Sequence, residues 1–149
     1  MSTQSSIPTG QWATFFVGKE QFAVAVEDVQ EVLLAQPLTP VPLAPPEIIG
    51  LLNLRGAVMP AFDLRRQLGL PEAPSDVPRK MLVLDLGSGP LTLMVDEIGD
   101  VFELAGEGWR PPPETLGPRR DALFGIFPLK DQIILGLKTS AVYAEPGDP

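Results

Sequence analysis

Apolar and polar positions along this chain alternate in short runs. Trp12 to Val17 is apolar and aromatic, and Val24 and Val26 alternate with Ala23, Ala25 and Glu27. That is the period of a strand. Gly18-Lys-Glu-Gln21 between the two runs reads as a hairpin loop. Glu27 to Gln30 is helical in type and predicts a single turn. Val32 to Val41 reads as one extended segment ending at Pro40 and Pro42, which cannot donate to a ladder. Pro45-Pro46-Glu47 reads as a turn. Gly50 to Leu54 and Val58 to Asp63 form a second hairpin, with Arg55 where the chain reverses. Leu64 to Leu70 predicts a short helix stopped by Gly69 and Pro71. Lys80 to Leu86 pairs with Leu91 to Val95, and Leu123 to Leu129 with Gln132 to Leu137 around Lys130-Asp131. Many short strands separated by turn signals predict an all-β sandwich or barrel.

The two sides of the proline-rich stretch 71–78 resemble each other. Phe22 to Leu33 aligns with Leu91 to Phe102 at an offset of 69. Within it Val26 matches Val95, Glu27 matches Asp96, Val29 matches Ile98, Glu31 matches Asp100 and Val32 matches Val101. Pro40 and Pro42 find a counterpart in Pro111-Pro-Pro113. Gly50 to Met59 then aligns with Gly125 to Ile134 at an offset of 75, which sets Lys130 in the place of Arg55. Three matches in the same order predict a duplicated architecture. Two small β-units, each too small to bury much alone, would share one core.

Composition narrows the functions open to such a chain. Its 149 residues suit about one domain. Cysteine and histidine are both absent. That removes disulfides, thiol nucleophiles, imidazole bases and the commonest metal ligands. The net charge of −8 opposes binding to nucleic acid and to anionic membrane surfaces. No apolar run has the ~20 residues of a membrane-spanning helix, so no direct membrane insertion is expected. The first ten residues lack the pattern of a secretory signal, which makes a cytoplasmic protein the expectation.

Catalytic constellations are weak. Asp96, Glu97 and Asp100 cluster, and paired carboxylates can do acid–base work when burial raises one pKa. Here a glycine at a strand end adjoins them, so a solvated acidic turn is the expectation. The same cluster lacks the loop spacing of a calcium site. Gly87-Ser-Gly89 and Gly106-Glu-Gly108 lack the Lys-Ser/Thr pair of a phosphate loop. No enzyme and no cofactor are expected.

Binding features are stronger. Arg55, between Leu54 and Gly56, offers a planar fork of donors at a tight turn. It serves a partner, or ties down its own loop through Glu31 or Asp63; one residue can do both. Val29 and Val32 flank Glu31 and would make a small anchor patch, with at least one valine expected in the core. Trp12 and Trp109 read as core or rim filler.

These residues together resemble the CheW family, the scaffold proteins of bacterial chemosensory arrays. The resemblance covers roughly Gln11 to Tyr143. Its strongest piece runs from Ile48 to Arg65, supported by Val29-Gln-Glu-Val32, Leu38-Thr-Pro-Val-Pro42 and Val95-Asp-Glu-Ile-Gly-Asp-Val101. It implies two SH3-like five-stranded β-barrel subdomains around a shared core, in one domain over residues 11–143. The linker would lie near 71–78, with flexible tails at 1–10 and 144–149. It also implies an adaptor without activity, coupling the cytoplasmic tip of a chemoreceptor to the regulatory domain of a CheA-type histidine kinase. Val29, Glu31, Val32, Arg55 and Gly56 match positions tied to the receptor, and Leu38, Thr39 and Val41 match the kinase-facing edge.

The chain departs from the family pattern at Leu43, where a polar residue is usual, at Pro128-Leu-Lys-Asp131, and at its C-terminal ending. A pilus-motility or second-messenger pathway is therefore an alternative to the flagellar one. Two further alternatives are a free-standing copy of a kinase regulatory domain and a small-molecule-binding β-barrel with Trp109 and Phe102 lining its pocket.

Overall fold

The computed structural model describes residues 7–72, 78–87 and 89–139. Their strands are β1 (Gly10–Val17), β2 (Glu20–Ala25), β3 (Val29–Leu34), β4 (Ile48–Leu54), β5 (Ala57–Asp63), β6 (Lys80–Asp85), β7 (Pro90–Val95), β8 (Glu97–Leu104), β9 (Leu123–Pro128) and β10 (Ile133–Leu137). A one-turn helix, α1 (Leu64–Gln67), follows β5. The helical turn expected at Glu27 to Gln30 is a 3-10 turn at Val26–Asp28, so Val26 falls outside the strand.

The strands form two five-stranded sheets, ordered β8-β1-β2-β10-β9 and β3-β6-β7-β5-β4. Each sheet takes its central hairpin from one half of the chain and its other three strands from the other half. The duplication is therefore interlocked. It also holds residue by residue. Gly136 pairs with Ala23 between parallel β10 and β2. Shifting those residues by the offsets of 75 and 69 gives Ala61 and Thr92, a pair between parallel β5 and β7. Ala13 opposite Val101 becomes Leu82 opposite Val32, and the register irregularities of the two edge strands fall at equivalent places.

Three clusters fill the interior. Inside the first sheet lie Trp12, Ala23, Leu104, Trp109 and Ile134, with Phe124 and Phe127 against them. Inside the second lie Leu52, Met59, Met81, Val83 and Met94. Between the sheets Phe15, Phe22 and Val24 meet Phe62, Leu82, Leu84, Leu91 and Leu93. Burying each such side chain contributes about 1.5–3 kcal/mol relative to exposure. Neither sheet covers this shared face alone, and the exchange of strands makes each half complete the other.

The segment expected to be extended from Val32 to Val41 divides in two. Regular pairing ends at Leu34, because Pro37 and Pro40 have no N–H to donate. Thr39 then exchanges two backbone hydrogen bonds with Leu51, at 2.9 and 2.8 Å. That bridge joins the continuation of edge strand β3 to the opposite edge strand β4, and Arg110 with Ile126 repeats it in the other sheet. Gly50 permits the approach: a Cβ there would sit 2.9 Å from both Leu38 Cβ and the Thr39 carbonyl oxygen.

The expected tail boundary at residue 11 falls one residue inside β1. Ile7 already packs on the aromatic cluster, and Thr9 Oγ1 accepts from Gly106 N–H at 2.8 Å. Residues 73–77 of the expected linker and residues 140–149, with the C-terminal tail, lie outside the described residues.

Candidate functional site

Hairpin β4–β5 turns through Arg55 and Gly56, with φ of 53° and 89°. Two consecutive positive φ values define the two-residue turn whose twist suits a hairpin. Gly56 adopts its angle freely; Arg55 does so at a cost of about 1–2 kcal/mol. Asn53 Oδ1 supports the turn by accepting from Gly56 N–H at 3.1 Å. The Arg55 side chain reaches back to β3, where its guanidinium forms an ion pair with Glu31. Asp63, the other partner considered for Arg55, is held by Arg79 instead.

The remaining receptor-type positions separate by depth. Val29 is half-buried against the shared core, whereas Val32 is 44% exposed. Along β3 exposure alternates, with Gln30, Val32 and Leu34 on the exposed positions. Val58, near the Arg55 turn, is also exposed. Apolar side chains thus flank an exposed ion pair whose two charges come from opposite edges of one sheet. On the kinase-type segment Leu38 packs on the Leu52 cluster, Thr39 is exposed and bridges to Leu51, and Val41 is half-buried. Beyond them Leu43 is fully exposed with φ 65°. That left-handed conformation suits asparagine or glycine better than leucine.

The acidic cluster does not behave as one solvated turn. Glu97 is exposed, as expected, and pairs with Lys80 at 3.0 Å. Asp96 is mostly buried in an ion-pair network. Arg65 donates to both its oxygens, at 3.2 and 2.7 Å. Gly18 N–H donates to it at 2.6 Å, and Arg79 Nε lies 3.6 Å away. Burial alone would raise the Asp96 carboxyl, but the hydrogen bonds from Arg65 and Gly18 and the charges of Arg65 and Arg79 outweigh it and hold the group below the usual carboxylate range. Arg79 also donates to Asp63, which caps α1 by accepting from Arg65 N–H at 3.0 Å. The network ties the β1–β2 turn of one sheet to the β5–α1 connection of the other and to the β7–β8 turn, where the chain passes between the two sheets. Arg65 and Arg79, on either side of the proline-rich stretch, were the sequence signal for it.

Trp109 and Phe102 both pack in the aromatic cluster of the first sheet. Trp109 is 3% exposed, 5.2 Å ring to ring from Trp12 and 4.7 Å from Phe124, so aromatic packing fills the space. Among the described residues no group of three or more acidic side chains converges as metal ligands. No described helix is long and apolar enough to cross a membrane.

Comparison with known proteins adds the family. The CheW-like domain model matches residues 11–146. A chemotaxis protein CheW of Bacillus subtilis is 32% identical over 111 residues, covering 74% of this chain and 71% of the relative. A chemotaxis protein CheW of Rhizobium meliloti is 29% identical over 130 residues, covering 87% and 84%. Protein FrzA of Myxococcus xanthus is 33% identical over 119 residues, covering 80% and 74%. The crystal structure of scaffolding protein TtCheW from Thermoanaerobacter tengcongensis superposes with a TM-score of 0.84 at 23% identity, over 94% of this chain and 91% of that one, which matches the fold. The interlocked pair of five-stranded sheets and the matching sequence make this chain a member of the CheW-like domain family.

Proposed function

We propose that this chain is a non-enzymatic adaptor of bacterial chemosensory signalling, coupling a chemoreceptor's cytoplasmic tip to a CheA-type histidine kinase. The observation that carries the reading is the Glu31–Arg55 ion pair, exposed and flanked by Val32 and Val58. A charged pair framed by apolar side chains offers orientation and burial together. Glu31, Val32, Arg55 and Gly56 form the receptor face, with Val29 half-buried at the base of the same strand. Leu38, Thr39 and Val41 form the kinase face. The protein acts in the cytoplasm at membrane-associated receptor arrays. Its mechanism is physical: contacts that differ between two kinase states shift the balance between them.

The test is a pull-down with a purified receptor cytoplasmic fragment and a CheA-type kinase. The kinase is retained on the receptor fragment when this chain is added and is lost when it is omitted. Equal retention with and without the chain contradicts the reading.

A further inference from the structure

From Leu33 to Pro46 the chain carries no Asp, Glu, Lys or Arg, although 20% of its residues are charged. The stretch is nonetheless on the surface. Leu34 is 64% exposed, and Ala35 to Pro37, Pro40, Pro42 and Leu43 are exposed as well. The fold does not require a connection without charge. The equivalent one in the other half, which passes through Arg110 as this one passes through Thr39, carries Glu107, Arg110 and Glu114. A surface strip without charges gives up its water at little cost, and depletion of charge marks the buried centre of protein–protein interfaces. Pro37, Pro40, Pro42, Pro45 and Pro46 stiffen the strip, so little freedom is lost when a partner settles on it.

Leu43 is the costly element of this strip. Pro42 and Leu43 are the central residues of a tight turn, closed by Ala44 N–H donating to the Val41 carbonyl oxygen at 3.4 Å. Proline at the second position and positive φ at the third are the marks of a type II turn, whose third residue is ordinarily glycine or asparagine. Leucine at φ 65° brings steric strain, and its fully exposed side chain returns nothing to the fold. A residue both strained and apolar in water is accounted for by what it meets outside the chain.

We infer that Leu43 is the anchor with which this chain selects its kinase. Its side chain enters an apolar pocket on the regulatory domain of a CheA-type kinase, and a kinase with a polar site there is bound more weakly. The inference rests on the adaptor reading, in which Leu38, Thr39 and Val41 of the same strip form the kinase face. The occupant is that domain rather than a second copy of this chain. Two copies of net charge −8 repel each other, and the strip has no cation to offset it. Nor is it the receptor. The turn lies near the Ile48 end of β4, where Ile48 N–H donates to the Pro45 carbonyl oxygen at 3.0 Å, whereas Arg55 follows the other end. A strand of that length spans about 20 Å, which separates Leu43 from the Glu31–Arg55 face.

The test is calorimetric titration of the full chain with the purified regulatory domain of each CheA-type kinase of the same organism, for the parent, Leu43→Asn and Leu43→Met. At least one domain binds the parent. Leu43→Asn weakens that binding roughly tenfold or more, the size expected for losing a buried leucine. Its urea midpoint rises at the same time, because the turn is relieved. Leu43→Met keeps an apolar side chain and stays within roughly threefold of the parent. A parent that binds none of the domains overturns the adaptor reading and the inference with it. A parent that binds, with Leu43→Asn binding equally well, overturns the inference alone. A urea midpoint that falls in Leu43→Asn makes the residue structural and overturns it too. Self-association of the parent in light scattering, abolished in Leu43→Asn, assigns the strip to a second copy and overturns the kinase as its occupant.

Discussion

Arg55 and Glu31 form an ion pair across 24 residues of sequence, joining the tip of one hairpin to the far edge strand of the same sheet. The Arg55 side chain is 68% exposed. An exposed pair of this kind contributes about 0.2–1 kcal/mol. The left-handed backbone of Arg55 costs about 1–2 kcal/mol, at least as much, so stability alone does not account for an arginine at this position.

That comparison gives the first prediction. Arg55→Gly removes the ion pair but relieves the backbone, and leaves folding stability within about 1 kcal/mol of the parent. Arg55→Val keeps the strained angle on a β-branched residue and costs more, about 1–2 kcal/mol. Urea denaturation checks both. A large loss in Arg55→Gly means that the pair is structural.

Asp96→Asn leaves two mostly buried arginines short of a charge. Breaking a buried ion pair from one side costs 3–5 kcal/mol, and partial exposure here reduces that to about 2–4 kcal/mol. Lys80→Ala, which removes only the exposed partner of Glu97, costs less than about 1 kcal/mol. Equal losses in the two variants contradict the network as described.

The same carboxylate sets a pH dependence. An aspartate in an unfolded chain titrates near about 3.9. In the folded protein Asp96 lies below its ordinary value. Its stabilisation is therefore fully present above the unfolded value and is lost as pH falls through the folded one. Stability measured from pH 6 to pH 3 falls more steeply in the parent than in Asp96→Asn, and the gap between them narrows toward the acid end. Parallel curves count against it.

Gly50→Ala tests the bridge between the sheet edges. The added methyl group meets backbone as well as the Leu38 side chain, so segment 38–39 must move away. The cost is about 1–3 kcal/mol. Amide exchange speeds up at Thr39 and Leu51, which bond to each other, before it does so at the β6–β7 pairing. Uniform acceleration across the sheet argues for a different cause.

Local pairing was legible in the sequence; its exchange between halves was not. Hairpins β4–β5 and β9–β10 stand out because turn residues separate two apolar runs, and the matched offsets already related Arg55 to Lys130. Nothing local says that β2 lies beside β10 and β5 beside β7, since those parallel contacts join residues far apart in the chain. The Arg55–Glu31 contact was among the pairings considered because both residues are polar at apolar borders. The role of Asp96 was hidden because a carboxylate next to a glycine looks solvated until Arg65 and Arg79 are folded against it.

The most direct measurement of the central claim is the affinity of the chain for a receptor cytoplasmic fragment, compared with that of Arg55→Glu. The substitution sets a carboxylate against Glu31 and removes the cation from the receptor face. Binding is predicted to weaken by roughly tenfold or more, with circular dichroism and cooperative unfolding retained. Unchanged affinity in a folded Arg55→Glu protein would contradict the account.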